Sequence, residues 1–286
     1  MSVAVVLMAY GSPDRLEDVP AYYADIRGGR PISPERLEEL VERYRRLGIE
    51  DRNPLNEITE ATRAALEREL GMPVFTGMRH WRPRIAEAAE QALADGARTI
   101  LGLVLAQHYS AMSIGAYRRQ LEEAVAGRAE IVFIERWGSE PAYVELIAER
   151  LRGTEAHVVF TAHSLPARIL DEDDPYVDEL LESSRLVAEE AGLGDWSFAF
   201  QSASPTGEPW LGPDILERLE DLAPRDVLVC PIGFVSDHLE VRWDIDVEAQ
   251  EKAQELGMRL ERVEMPNAAI VPVLKTLVDR HLAAVR

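Results

Sequence analysis

In 286 residues the chain has one cysteine, Cys230, and two lysines, Lys252 and Lys275. A single cysteine excludes a disulfide framework and any site built from several thiolates, and it leads us to expect a cytoplasmic protein. Cys230 itself lies in an apolar run and reads as a small buried hydrophobe. No apolar run approaches the roughly 20 residues of a membrane span, so no integral membrane contact is expected. The apolar start, residues 1–9, lacks a basic lead-in and a cleavage site, and Tyr10-Gly11-Ser12-Pro13 ends it. It reads as a first strand rather than a signal peptide. There is no G-x-G-x-x-G, P-loop or G-x-S-x-G, which leaves dinucleotide and triphosphate chemistry without support. A net charge of −20 argues against nucleic acid as a partner.

The basic residues present are nearly all arginine, and seven of them fall between Arg27 and Arg52. A coding bias explains most of this. The forked guanidinium is also the better partner for a carboxylate or phosphate, and acids in the same segment leave only some of the seven free.

Short β-branched runs alternate with longer helical patterns. Strands are expected at 3–9, 74–77, 99–106, 130–135, 157–162, 196–202, 226–232 and 259–263. Helices are expected at 20–27, 34–47, 58–70, 84–94, 114–126, 141–152, 175–191, 213–222, 237–256 and 268–284. The alternation predicts an α/β fold with parallel sheets, and the unbroken apolar strands predict that both sheet faces are covered. A faint duplication divides the chain into an amino-terminal lobe, 1–145, and a carboxy-terminal lobe, 146–286, whose last helix could pack back on the first. Each half ends two strands in polar residues, where open α/β sheets bind ligands. Facing lobes would then enclose a cleft.

The most informative stretch is Gly233-Phe234-Val235-Ser236-Asp237-His238-Leu239-Glu240. It opens a helical pattern in which acids recur four residues apart, at Glu240, Asp244 and Glu248. On an α-helix these carboxylates share a face, at a cost in repulsion that suggests a cation or proton path. The plainer alternative for Asp244 and Glu248 is a solvated face. Trp243 and Val247 are expected on other faces, and Asp237 as the helix cap. The run 157–162 ends at His163-Ser164-Leu165-Pro166. A strand-end histidine is most often structural, but an imidazole and a carboxylate meeting across a cleft suit a divalent metal such as Fe²⁺, or acid–base chemistry. Tyr10 ends the first strand and is a core tyrosine or a cleft tyrosine. His80 and Tyr117 have the same status, and His108 reads as structural. Trp210, in Pro209-Trp210-Leu211-Gly212-Pro213-Asp214, sits in a rigid turn at a helix entry with proline first, or lines a cleft for a flat ligand.

The strings Met8-Ala9-Tyr10-Gly11-Ser12-Pro13, Ala162-His163-Ser164-Leu165-Pro166, Pro209–Asp214, Gly233–Glu240 and Glu264-Met265-Pro266-Asn267 resemble the ferrochelatase family in order and over nearly the whole chain. The short form resembles the coproporphyrin ferrochelatases of Gram-positive bacteria. The resemblance implies two Rossmann-like lobes with a porphyrin between them. The activity implied is insertion of Fe²⁺ into coproporphyrin III in haem biosynthesis. His163 and Glu240 match the family's metal-site pair, and Asp244 and Glu248 the acidic line leading from it. Tyr10 matches the tyrosine on the opposite side of the macrocycle. Arg27, Arg43 and Tyr44 match propionate-binding positions, and His80 and Tyr117 other cleft positions.

The sequence departs from the pattern in places. Asn53 replaces a usual serine before Pro-Leu, after a loop about two residues longer, which puts a propionate contact there in question. Gln107 replaces a frequent proline, with no chemical effect expected. Some relatives hold an iron–sulfur cluster through cysteines, and one cysteine excludes that here. No cofactor beyond the substrate iron is expected, although an accessory Mg²⁺ or Ca²⁺ on the acidic line is compatible with the pattern. A monomer is expected. The competing readings are a protoporphyrin IX ferrochelatase, a cobalt chelatase for another tetrapyrrole, a non-catalytic tetrapyrrole carrier and a periplasmic-type binding protein.

Overall fold

The computed structural model describes residues 2–49 and 53–285. Arg52 and the lengthened loop ahead of Asn53 fall outside the described residues. Strands β1 (Val3–Ala9), β2 (Val74–Met78), β3 (Thr99–Val104) and β4 (Glu130–Ile134) form a parallel sheet of order β2-β1-β3-β4. Strands β5 (His157–His163), β6 (Trp196–Gln201), β7 (Val227–Cys230) and β8 (Leu260–Arg262) form a second with the equivalent order, β6-β5-β7-β8. All eight strands lie where the alternation predicts them, and both sheets are parallel.

The period of two along β1 explains how the layers assemble. Ala4, Val6 and Met8 face helices α4 (Ile85–Ala94) and α5 (Ile114–Val125). Val5 and Leu7 face a larger core, which takes in Leu66 of α3 (Pro54–Leu70), Tyr143 and Ile147 of α6 (Pro141–Ala148), and Val158 and Phe160 of β5. Leu180 of α7 (Tyr176–Ala191) and Leu277 of α11 (Val271–Val285) belong to the same cluster. The two lobes thus share one apolar layer. Each fully buried aliphatic side chain contributes about 1.5–3 kcal/mol, so this layer resists separation of the lobes. Helix α11 crosses to pack on α3 and β4, and Arg280 clamps Glu140 through two bonds of 2.6 and 2.7 Å.

Before α3 the chain forms an arm of α1 (Val19–Ile26) and α2 (Pro34–Arg46). Tyr22 donates to the carbonyl of Gly11 in the first lobe, 2.9 Å. At the other end Arg46 pairs with Glu251 at 3.0 Å, and Arg242 donates to the Leu47 carbonyl, 3.2 Å, in the second lobe. The arm therefore bridges the lobes.

Three local expectations are corrected. The pattern over 237–256 is not one α-helix: α9 (Leu239–Trp243) passes into a π-helical segment, Asp244–Ala249, and then α10 (Gln250–Glu255). Helix α8 (Ile215–Leu222) begins after Pro213, with Asp214 and Glu217 forming its capping box, so the proline is not its first residue. Asp237 does not cap α9; it is held by Arg262 at 3.0 Å and by Asn267.

Candidate active site

His163 stands at the carboxyl end of β5, where Ser164 N bonds the Gln201 carbonyl at 2.7 Å and Tyr176 donates to the His163 carbonyl at 2.9 Å. Its Nδ1 lies against the Ser164 carbonyl. A carbonyl only accepts, so Nδ1 carries a proton and Nε2 is left to face the cleft. The chain leaving β7 reaches this histidine because residue 233 is glycine. A Cβ there would lie 2.5 Å from Ala162 Cβ. The loop is held from behind by Asn267, whose side chain accepts from Asp237 N at 2.9 Å and whose own N–H bonds Val235 O at 2.8 Å. This places Glu240, in the first turn of α9, with Oε1 3.6 Å from His163 Nε2. That is ion-pair distance without a hydrogen bond.

Desolvation opposes a charge on His163, but the Glu240 carboxylate outweighs it and raises the imidazole pKa to about 9. Desolvation likewise opposes ionisation of Glu240, and His163 and His238 outweigh it, holding the carboxyl well below the usual range. His238 was not singled out by the sequence, yet its Nε2 is 3.6 Å from the other Glu240 oxygen. At neutral pH the pair is imidazolium and carboxylate, so a metal ion can take His163 only as the proton leaves.

The acidic residues beyond Glu240 line the cavity beside it, and each is held by its own neighbours. The π-helical winding breaks the α-helical register, a distortion frequent at functional sites. Asp244 is buried, and it accepts from Ser202 and, at 3.2 Å, from Gln201 Nε2. Burial raises its pKa to about 6. Glu248 accepts from Trp243 Nε1 at 2.7 Å and faces Arg43 at 3.8 Å. Among the described residues no three His, Cys, Asp or Glu side chains converge as a metal site. His163 and Glu240 stand as a pair, and Asp244 and Glu248, beside Glu240 in the same cavity lining, are also held by protein partners.

A cavity of about 400 Å³ opens over this floor, lined by Glu240, Trp243, Asp244 and Glu248 on one side and by Arg27, Arg36 and Arg43 from the arm. Arg27 bonds only the carbonyls of Arg30 and Pro31 and has no carboxylate partner among the described residues. Arg43 lies over the Trp243 ring, 4.9 Å from its centre.

Tyr10, at the end of β1, is 40% exposed and stands beside the His80 ring, centroids 4.6 Å apart. Trp210 is half-buried, with its ring 6.5 Å from that of His163 and its N–H on Thr206. Three residues expected at the substrate, Tyr44, Asn53 and Tyr117, are buried. Tyr44 is buried with its hydroxyl engaged by Ser12 and Tyr23. Asn53 caps α3 and donates to Ser12 Oγ at 2.7 Å and Pro13 O at 3.1 Å. Tyr117 is buried beneath the Arg79 guanidinium. For Tyr44 and Asn53 the polar end is consumed within the protein. Gln107, expected to be neutral, is wholly buried and ties the lobes by donating to Tyr143 Oη, 2.7 Å, and to Ile232 O. Among the described residues no helix is long and apolar enough to cross a membrane.

A family model described as ferrochelatase matches residues 2–282. The ferrochelatase of Herpetosiphon aurantiacus is 43% identical over 299 residues, covering 96% of this chain and 97% of that one. The ferrochelatase of Deinococcus radiodurans is 40% identical, over 99% and 97%. The coproporphyrin III ferrochelatase of Halalkalibacterium halodurans is 36% identical, over 98% and 97%. Among solved structures, SirB from Bacillus subtilis with Fe³⁺ superimposes with a TM-score of 0.65 over 98% of this chain and 96% of that one. Its 13% identity makes this a likeness of fold.

Proposed function

The chain belongs to the ferrochelatase family and inserts iron into a porphyrin, and from that premise we propose that the porphyrin is coproporphyrin III. The observation that carries this reading is Arg27, a cavity-lining arginine with no carboxylate partner among the described residues of a chain with 51 acids and 31 bases. Of the three cavity-lining arginines, Arg36 pairs with Glu39 at 2.8 Å and Arg43 faces Glu248 at 3.8 Å, so Arg27 is the one left for a carboxylate that the substrate brings. Coproporphyrin carries four carboxylates and protoporphyrin two, so a rim of Arg27, Arg36 and Arg43 suits the former through charge-assisted pairs.

Metalation removes two pyrrole protons as Fe²⁺ enters. In this reading His163 and Glu240 hand over iron or accept protons. The high pKa of His163 makes it a competent acceptor once its resting proton has been lost to solvent or displaced by iron. Asp244, titrating near neutrality, relays protons from Glu240 toward the cavity mouth. A cleft that holds the macrocycle bent would expose its nitrogen lone pairs to the ion. The same reading takes the chain as a cytoplasmic monomer with no cofactor besides its substrate iron; buried Cys230 cannot by itself hold a cluster.

The test is anaerobic Fe²⁺ insertion, followed by absorbance, into coproporphyrin III and protoporphyrin IX side by side, with His163→Ala as control. Faster turnover of coproporphyrin, lost in the variant, supports the proposal. Preference for protoporphyrin overturns the substrate while leaving the reaction intact.

A further inference from the structure

Across the cleft from Glu240, a buttress of three charged or polar side chains stands behind Tyr10. Asp25, on α1 of the arm, accepts two bonds from Arg84, Nη2 to Oδ1 at 2.7 Å and Nη1 to Oδ2 at 3.1 Å. His80 Nδ1 lies 2.8 Å from the same Oδ2. Arg84 also donates to the Arg79 carbonyl at 2.9 Å, which ties the group to the end of β2. The His80 N–H bonds the Tyr10 carbonyl at 2.9 Å, and the two rings are in contact. Two residues beyond Asp25 along the arm is Arg27.

We propose that Asp25 is a positioning residue of the cleft: it holds His80 in the Nδ1–H tautomer against Tyr10 and pins the arm that carries Arg27 to the first lobe. The tautomer follows from the partners. The Arg84 bonds keep the Asp25 carboxyl ionised, below its ordinary pKa, and an ionised carboxylate can only accept. The proton of the 2.8 Å contact is therefore on Nδ1. Burial keeps the ring neutral, with Asp25 partly opposing. Nε2 then retains its lone pair, so the ring beside Tyr10 carries an acceptor rather than a donor. Arg84 braces Asp25 but does not touch the imidazole. This separates two roles: both residues latch the arm, and only Asp25 sets the tautomer.

The inference rests on the cleft being the porphyrin site, and its test reads the two questions separately. Long-range ¹⁵N–¹H spectra of the labelled protein, recorded without substrate, should show His80 as Nδ1–H in the wild type and in Arg84→Ala. In Asp25→Ala the Nε2–H form should be populated. Iron insertion into coproporphyrin III should lose about tenfold in kcat in Asp25→Ala, the scale of losing a carboxylate that orients a functional histidine. Asp25→Glu should recover part of it, and Arg84→Ala should change KM more than kcat. An unchanged tautomer in Asp25→Ala overturns the proposal, as does an equal loss of kcat in Arg84→Ala, which would make Asp25 only a strut. A wild-type protein inactive with both porphyrins would overturn the reading of the cleft, and the spectra would still decide the hold of Asp25 on His80.

Discussion

The carboxyl end of β3 in the first lobe leads to His108, and that of β5 in the second ends in His163. Both follow apolar parallel strands in sheets of equivalent order. His108 is 4% exposed, and among the described residues its Nε2 bonds only the Ser183 hydroxyl, at 2.8 Å. Burial without a carboxylate pushes its pKa down to about 3, and the ring stays neutral. His163 has the Glu240 carboxylate beside it and is pushed the other way, to about 9. The neighbours of His108 are engaged in the same way. Gln107, Tyr109 N and Ser110 bond Ile232 O, Glu179 and Asp174 of the second lobe. One strand end holds the lobes together, and the other faces the opening between them. What distinguishes the two histidines is whether a counter-charge is within reach, which neither strand encodes.

The comparison is most directly broken at the second lobe. His163→Ala or Glu240→Gln should act on the chemistry of the folded protein, reducing iron insertion by at least ~10²-fold, the usual scale for losing a proton-transfer group. His108→Ala should do the reverse. It leaves Ser183 unpaired and opens a void, and should cost about 1–3 kcal/mol in urea unfolding while the folded fraction keeps its kcat.

Acid should sharpen the contrast. The folded pKa of His108, about 3, lies below the ordinary 6.5. Between those values the unfolded chain binds a proton that the folded chain refuses, so stability rises with pH across the window and is lost on acidification. Near pH 4.5 the loss is ~2 kcal/mol, and His108→Gln should flatten that limb in urea midpoints compared with pH 7. His163 has the opposite sign: its contribution is fully present below 6.5 and is lost as pH rises through about 9.

At the arm, Arg27→Ala should raise KM for coproporphyrin about tenfold with kcat nearly constant, and should raise KM for protoporphyrin less. The smallest effect is expected at Asp244. Its folded pKa of about 6 exceeds the ordinary 3.8, so ionisation costs stability above that range. Asp244→Asn should melt higher than the wild type at pH 8 and show no such gain near pH 3.

The strands, the parallel sheets and the residues at their ends were legible in the sequence, because buried parallel strands need continuous apolar runs and helices need their own period. His163 and Glu240 were legible as well, since each ends or follows a strand in a motif with few structural alternatives. The roles of Tyr44, Asn53 and Tyr117 were not. Whether a hydroxyl or amide meets a substrate or a neighbour depends on partners such as Ser12, far away in the chain. His238 carried a signal in its place beside the strand-end motif, but its contact with Glu240 depends on how α9 begins. The unpaired state of Arg27 could not be counted from composition, because it depends on which of many acids each arginine meets.

By itself, then, the sequence determined which segments become strands and helices, and which polar residues arrive at the strand ends. Those follow from local periodicity and from the burial of apolar surface. Only the tertiary structure decided that the lobes share one core, that the acidic helix winds as a π-helix, and that Asp244 and Glu248 turn to Ser202 and Arg43. It also decided which histidine is charged. Each of these is a matter of distance between groups remote in the chain, and electrostatic and hydrogen-bond energies fall off too steeply with distance for spacing along the sequence to predict them.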